Sequence, residues 1–268
     1  MKISVAGCAG RMGREVIKAV LAQPEHQLVG GCVAQGDKHA GIDLGLLAGQ
    51  EIIGVAAVED LAAALSPAEV MIDFSRPSLT LTLAALAAAS GKILVTGTTG
   101  FTPDQQAELA ELAKRAVILQ SFNMSLGVNL LAALVERTAS LLDSSFDIEI
   151  LEMHHRHKVD APSGTALLLG NAAAAGRKVS LPAVEKRSRD GITGKRPEGE
   201  IGFAVLRGGD VVGDHHIIFA GAGERLTLSH QSSSRGIYAQ GALKAASWLM
   251  GKPAGRLYSM QDVLGMAV

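Results

Sequence analysis

Three of the eight histidines fall within positions 154–157, in the stretch Glu152-Met153-His154-His155-Arg156-His157-Lys158-Val159-Asp160-Ala161-Pro162-Ser163-Gly164-Thr165. Imidazole and ammonium groups exchange protons near neutral pH when their surroundings tune them. Crowding cations together lowers the pKa of each base. Ser163, Gly164 and Thr165 add hydroxyl and N–H donors, and Gly164 lets a ligand approach the backbone closely. The chemistry offered is binding of a carboxylate or phosphate coupled to proton transfer. The same residues also read as a solvated basic edge or as a zinc site. The zinc reading lacks a nearby Cys and a His-x-x-x-His spacing, and adjacent residues of a strand point to opposite faces. No metal is expected.

The flanking segments must position this cluster. Phe146-Asp147-Ile148-Glu149-Ile150 alternates apolar and acidic residues, the period of a strand. Ala166 to Ala173 consists largely of good helix formers. The cluster therefore leaves a strand and enters a helix N-terminus, where unpaired N–H groups and the positive dipole end favour an anion.

A second group of residues suits a dinucleotide. Lys2 to Ala6 reads as a strand, Gly7-Cys8-Ala9-Gly10-Arg11-Met12-Gly13 as a glycine turn, and Arg14 to Leu21 as a helix. Strand, glycine turn and helix form the context in which a pyrophosphate rests on a helix start. The spacing is G-x-x-G-x-x-G, with Ala9 where a middle glycine is commoner. Further strands at His26–Ala34, Val70–Phe74, Lys92–Thr96 and Val117–Gln120 alternate with helices, which implies a parallel doubly wound sheet. Their ends carry Arg76, Thr98 and Asn123, where such sheets bind ligands. Ile52–Val55 reads as a short strand or hairpin.

Beyond Ser121-Phe122-Asn123-Met124 the pattern changes. A long helix over 126–142 precedes the His cluster, and 186–199 is polar and glycine-rich, as in a mobile loop. Runs at 201–206, 211–219 and 225–230 read as strands of a mixed sheet, and 235–250 as a helix returning to the first domain. The fold expected is α/β: a Rossmann-type doubly wound parallel sheet over 1–125, completed by 235–268, with an inserted α+β domain over 126–234. Apolar residues at Val211-Val212 and Ile217-Ile218-Phe219 are expected to face a partner subunit.

The chain of 268 residues is 48% hydrophobic and 19% charged, with net charge −1. That balance gives no basic surface for nucleic acid. With aromatics at 3%, stacking platforms for bases are not expected either. Cys8 and Cys32 do not make a disulfide framework, so a reducing, cytoplasmic setting fits. Strand residues follow Met1-Lys2 directly, so no signal peptide is expected. The apolar run 79–89 is too short to span a membrane.

Gly7 to Gly13, Asp73-Phe74-Ser75-Arg76-Pro77, Gly97-Thr98-Thr99-Gly100-Phe101, Asn123 with Gly127-Val128-Asn129, and His154 to Thr165 together resemble the 4-hydroxy-tetrahydrodipicolinate (dihydrodipicolinate) reductase family of lysine and diaminopimelate synthesis. The resemblance covers nearly the whole chain. It implies a nicotinamide cofactor, NADPH or NADH, a small dicarboxylate substrate, and a homotetramer built on the second domain. It implies His154 and Lys158 as the acid–base pair and His155, Gly164 and Thr165 as substrate contacts. Ser163 joins them as a donor at the helix start. Cofactor contacts implied are Gly7, Cys8, Ala9, Gly10, Arg11, Met12, Gly97, Thr98, Thr99, Ser121, Phe122, Asn123 and Met124, with Phe74 and Arg76 beside them and Arg235 at the cofactor or the hinge. The acid usual at the end of the second strand is missing. Ala34 and Gln35 stand there, with Lys38 and His39 following, so NADPH is expected to serve at least as well as NADH, and Asp37 is the alternative acid.

Overall fold

The computed structural model describes residues 1–266. Two compact units divide the chain. One comprises Met1–Ser125 with the chain from Arg235 onward, and the other is Leu126–Ser234.

In the first unit, β1 (Lys2–Ala6), α1 (Arg11–Leu21) and β2 (Gln27–Cys32) open the chain, followed by the short helices α2 (Leu44–Leu47) and α3 (Leu61–Leu65). Then β3 (Val70–Asp73), α4 (Pro77–Ser90), β4 (Ile93–Thr96), α5 (Pro103–Ala113) and β5 (Val117–Gln120) alternate. Every residue of β3 and β4 is buried, as expected of parallel strands covered on both faces. The expected strand or hairpin at Ile52–Val55 does not form. Asp43 instead accepts the N–H groups of Ile53, Gly54 and Val55 while capping α2, so a side chain replaces the strand ladder.

The second unit runs α6 (Leu126–Leu141), β6 (Asp147–His154), α7 (Gly164–Gly176), α8 (Leu181–Val184), β7 (Glu185–Lys186), β8 (Ile201–Arg207), β9 (Gly213–Gly221) and β10 (Glu224–Ser232). The chain then returns to the first unit as α9 (Gly236–Leu249), β11 (Leu257–Tyr258) and α10 (Met260–Val263). The first sheet has the order β11-β5-β4-β3-β1-β2 and is parallel throughout. After β1 the chain steps outward to β2 and then returns to β3 on the other flank. Ligands favour the strand C-termini at such a reversal. The second sheet, β10-β9-β6-β8-β7, is mixed.

Ile148 and Ile150 of β6, Ile201 and Phe203 of β8, and Ile217 and Phe219 of β9 share one core with residues of α6 and α7. Ile217 and Phe219 are fully buried, which corrects the expectation that they face a partner subunit. Alternation along β9 sends them inward and leaves Ile218 on the opposite face. The 186–199 segment has little regular structure but is anchored. Arg196 bonds Asp147 at 2.6 Å, Glu149 at 2.9 Å and the Glu200 carbonyl at 2.6 Å.

Candidate active site

The His cluster begins on the inward face of the second sheet. Along β6 the inward residues are Ile148, Ile150, Glu152 and His154, so the apolar stripe turns polar at its end. On β9 the inward run reads Phe219, Ile217, His215, Gly213, and the register sets His215 opposite Glu152. Arg207 ends β8 beside His154. These inward positions form one polar end to an otherwise apolar layer, and α7 starts over it.

Glu152 organises that end. Its fully buried carboxylate accepts from Arg207 at 2.8 and 3.0 Å, from the Ser163 N–H at 3.0 Å and from His154 Nδ1 at 2.5 Å. Burial raises its pKa, but Arg207, His154 and Ser163 outweigh burial and hold it below the usual carboxylate range. His154 is 8% exposed. Burial lowers its pKa, Glu152 pulls it back, and Lys158 and Arg207 push it down again, for a net fall. His215 is buried further, and burial with the neighbouring His154 takes it down to about 4. Lys158 Nζ lies 2.9 Å from Asp160 Oδ1, and Asp160 stays below its ordinary range chiefly because of that lysine.

Ser163 departs from expectation. Its N–H goes to Glu152, and its Oγ accepts from the Ala166 N–H as the cap of α7 and lies 3.1 Å from His215 Nε2. With 1% exposure it fixes the turn and does not present a donor outward. Gly164 behaves differently. It is exposed, and a Cβ placed there would meet no atom within 4 Å. Space lies open at the first turn of a thirteen-residue helix. Thr165, next in the chain, and His155 are half-buried, and the His155 ring centroid is 6.2 Å from that of His157. Among the described residues no cluster of three or more His, Cys, Asp or Glu is arranged to hold a metal ion.

The glycine turn after β1 fits a dinucleotide. Gly7 has φ +67°, and Gly10 precedes α1 without a side-chain cap, so its first N–H groups are not taken by a capping side chain. A Cβ at Gly13 would stand 2.3 Å from the Gly7 carbonyl oxygen, so only glycine lets α1 sit this close to the turn. Arg11 is exposed, and Cys8 is buried and free, as is Cys32.

Two further loops meet at Asp73. Its buried carboxylate accepts from the Ser75 N–H and from the hydroxyls of Ser75, Thr80, Thr96 and Thr98 at 2.5–3.0 Å. The Phe74 ring covers Gly97, where a Cβ would fall 2.2 Å from a ring carbon. Arg76, Thr99 and Phe122 are exposed and Met124 is buried.

At the end of β2 the sequence reading overlooked Glu59. Its carboxylate accepts from Gln35 Nε2 at 2.6 Å and the Gly36 N–H at 2.8 Å. The parallel bridge of Val58 to Cys32 brings it there. Asp37 is bound to His39 at 2.7 Å, and Lys38 is exposed.

Residues 1–124 match the family model described as dihydrodipicolinate reductase, N-terminus, and residues 127–264 match its C-terminus. A 4-hydroxy-tetrahydrodipicolinate reductase from Methylocella silvestris is 55% identical over 267 residues, covering 99% of this chain and 97% of the relative. One from Parvibaculum lavamentivorans is 54% identical over 267 residues, covering 99% and 98%. A dipicolinate-bound dihydrodipicolinate reductase from Paenisporosarcina sp. superposes with a TM-score of 0.73 at 25% identity, covering 98% of each chain.

Proposed function

The chain belongs to the dihydrodipicolinate reductase family, and from that membership we infer how its residues divide the NAD(P)H-dependent reduction of 4-hydroxy-tetrahydrodipicolinate to tetrahydrodipicolinate. The substrate loses its hydroxyl as water, gains a hydride and takes up one proton. The bound nicotinamide supplies the hydride. The second unit holds a dicarboxylate and delivers the proton to the enamine-like anion. Lys158 and His154 carry that proton. Gly164 and Thr165 receive one carboxylate at the start of α7, and His155 flanks it. What supports the reading is the open helix start at Gly164 next to a buried, carboxylate-held imidazole and a lysine.

In the first unit, Gly7 to Met12 cradle the pyrophosphate. Phe74, Arg76, Gly97 to Thr99 and Ser121 to Met124 line the remainder of the dinucleotide site. At the ribose, Gln35 and Glu59 stand against Lys38 and Arg11. With no acid in the strand-end position itself, NADPH serves at least as well as NADH. Purified protein given the cyclic substrate oxidises either cofactor, and kcat/KM for NADPH equals or exceeds that for NADH. Lys38→Ala lowers the NADPH value, and Glu59→Gln raises it by removing a charge that opposes a 2′-phosphate. A preference for NADH above about tenfold, or ~1.4 kcal/mol, sinks this choice and assigns the ribose to Glu59 or Asp37. Failure to oxidise either cofactor sinks the reaction.

The outward face of the second sheet carries Leu151, Met153, Ala204, Leu206 and Ile218 in register, and Leu206 is 48% exposed. Other copies of this chain cover it, forming a homotetramer. Light scattering at micromolar concentration should give four times the mass of one chain, and Leu206→Glu should reduce it. A monomeric mass for the unaltered chain excludes the assembly.

A further inference from the structure

The reaction assigned above draws on His154 but gives no task to Glu152, Arg207, His215 or Gly213, which surround it. The ionised Glu152 carboxylate can only accept hydrogen bonds. His154 Nδ1, 2.5 Å away, must therefore carry a hydrogen in either charge state of the ring. In the neutral ring Nε2 is then the bare nitrogen. Arg207 and the Ser163 N–H hold the carboxylate from two other elements, β8 and the start of α7, so it has little freedom to turn. Nε2 lies beside Gly213, where a Cβ would stand 3.0 Å from it and 3.5 Å from His215 Cε1.

Four charged or titratable groups face this imidazole. Glu152 is on its own strand, Lys158 in the loop that follows, Arg207 on β8 and His215 on β9. Ser163, the cap of α7, is neutral and reaches Glu152 and His215. The His215 ring meets His154 edge-on at 5.1 Å and stays neutral through the working range.

We infer that Glu152 is the positioning residue that fixes the His154 tautomer and turns Nε2 toward the substrate, and that the missing side chain at Gly213 keeps the approach to Nε2 open. The inference rests on His154 carrying the proton in the reduction.

The pH profile of kcat/KM separates this role from mere support of the fold. A proton donor loses activity as pH rises through its pKa. Glu152 favours the imidazolium, so Glu152→Gln should move that limb to lower pH. Arg207 opposes the imidazolium, so Arg207→Gln should move it to higher pH. Shifts of about one unit in opposite directions are expected. Gly213→Ala should lower kcat about 10²-fold with an unchanged melting temperature. Nitrogen-15 NMR of the unaltered protein tests the tautomer without any variant or turnover, and should show His154 protonated at Nδ1 at high pH. Limbs that stay put or move together in folded variants, or an Nε2-protonated ring, overturn the inference. Full turnover in His154→Gln would instead overturn the proton-transfer role, while the NMR result would still report on Glu152.

Discussion

His154→Gln and Lys158→Ala each lower turnover by about 10²–10⁴-fold, the usual worth of a positioned acid or base, while melting temperature and NADPH affinity stay close to those of the unaltered chain. Gln at position 154 keeps a side-chain donor for the buried Glu152 carboxylate, and Lys158 lies in the loop beyond β6, so loss of activity should not follow loss of fold. The two losses should differ in their pH behaviour. In the free protein, burial holds the His154 imidazolium below its ordinary pKa. A bound dicarboxylate brings opposite charge and favours that imidazolium. The descending limb of kcat, which reports the substrate complex, should therefore lie at higher pH than that of kcat/KM, which reports the free enzyme. Steady-state rates between pH 5 and 9 measure both. Near-normal turnover in both variants would end the acid–base assignment, and coincident limbs would remove the substrate-coupled protonation of His154.

The strand into the His cluster and the helix out of it were legible because both follow simple periods. The more informative signal lay in their phase. Ile148 and Ile150 face inward, and two further steps of two residues reach Glu152 and His154. A carboxylate and an imidazole continuing an apolar stripe must be buried and must find partners. Counting through the strand would have exposed Glu152 as a candidate. Its partner Arg207 lies 55 positions away, and no local pattern ties the two. Ser163 was misread for a related reason. A serine before a helix is as good a cap as an anion donor, and only the Ala166 and Glu152 contacts decide between them. Glu59 was hidden because an isolated bridge, too short for any period, brings it to the end of β2.

Asp73→Ala should cost about 3–5 kcal/mol of stability and weaken NADPH binding at least tenfold. The magnitude follows from the groups left behind, since each buried donor without a partner costs about 1–3 kcal/mol. Asp73 is fully buried at the end of β3 and takes three threonine hydroxyls, the Ser75 hydroxyl and the Ser75 N–H. Thr80 is in α4, Thr96 ends β4, and Thr98 belongs to the loop beyond it. Removing the carboxylate leaves these donors in a space that water enters poorly, and partial relaxation of the hydroxyl rotors keeps the sum below the full count. It also releases the 73–76 loop from the 96–98 loop, so Arg76 and the Gly97 backbone lose their common support. Asp73→Asn keeps the volume but exchanges one accepting oxygen for a donor, and should fall between the two. Urea unfolding and calorimetric titration with NADPH, run on the same samples, measure the two effects. A wild-type unfolding midpoint in Asp73→Ala would show that the threonines find other partners. A lowered midpoint with unchanged NADPH affinity would confine Asp73 to the sheet and leave the loops to position the cofactor by themselves.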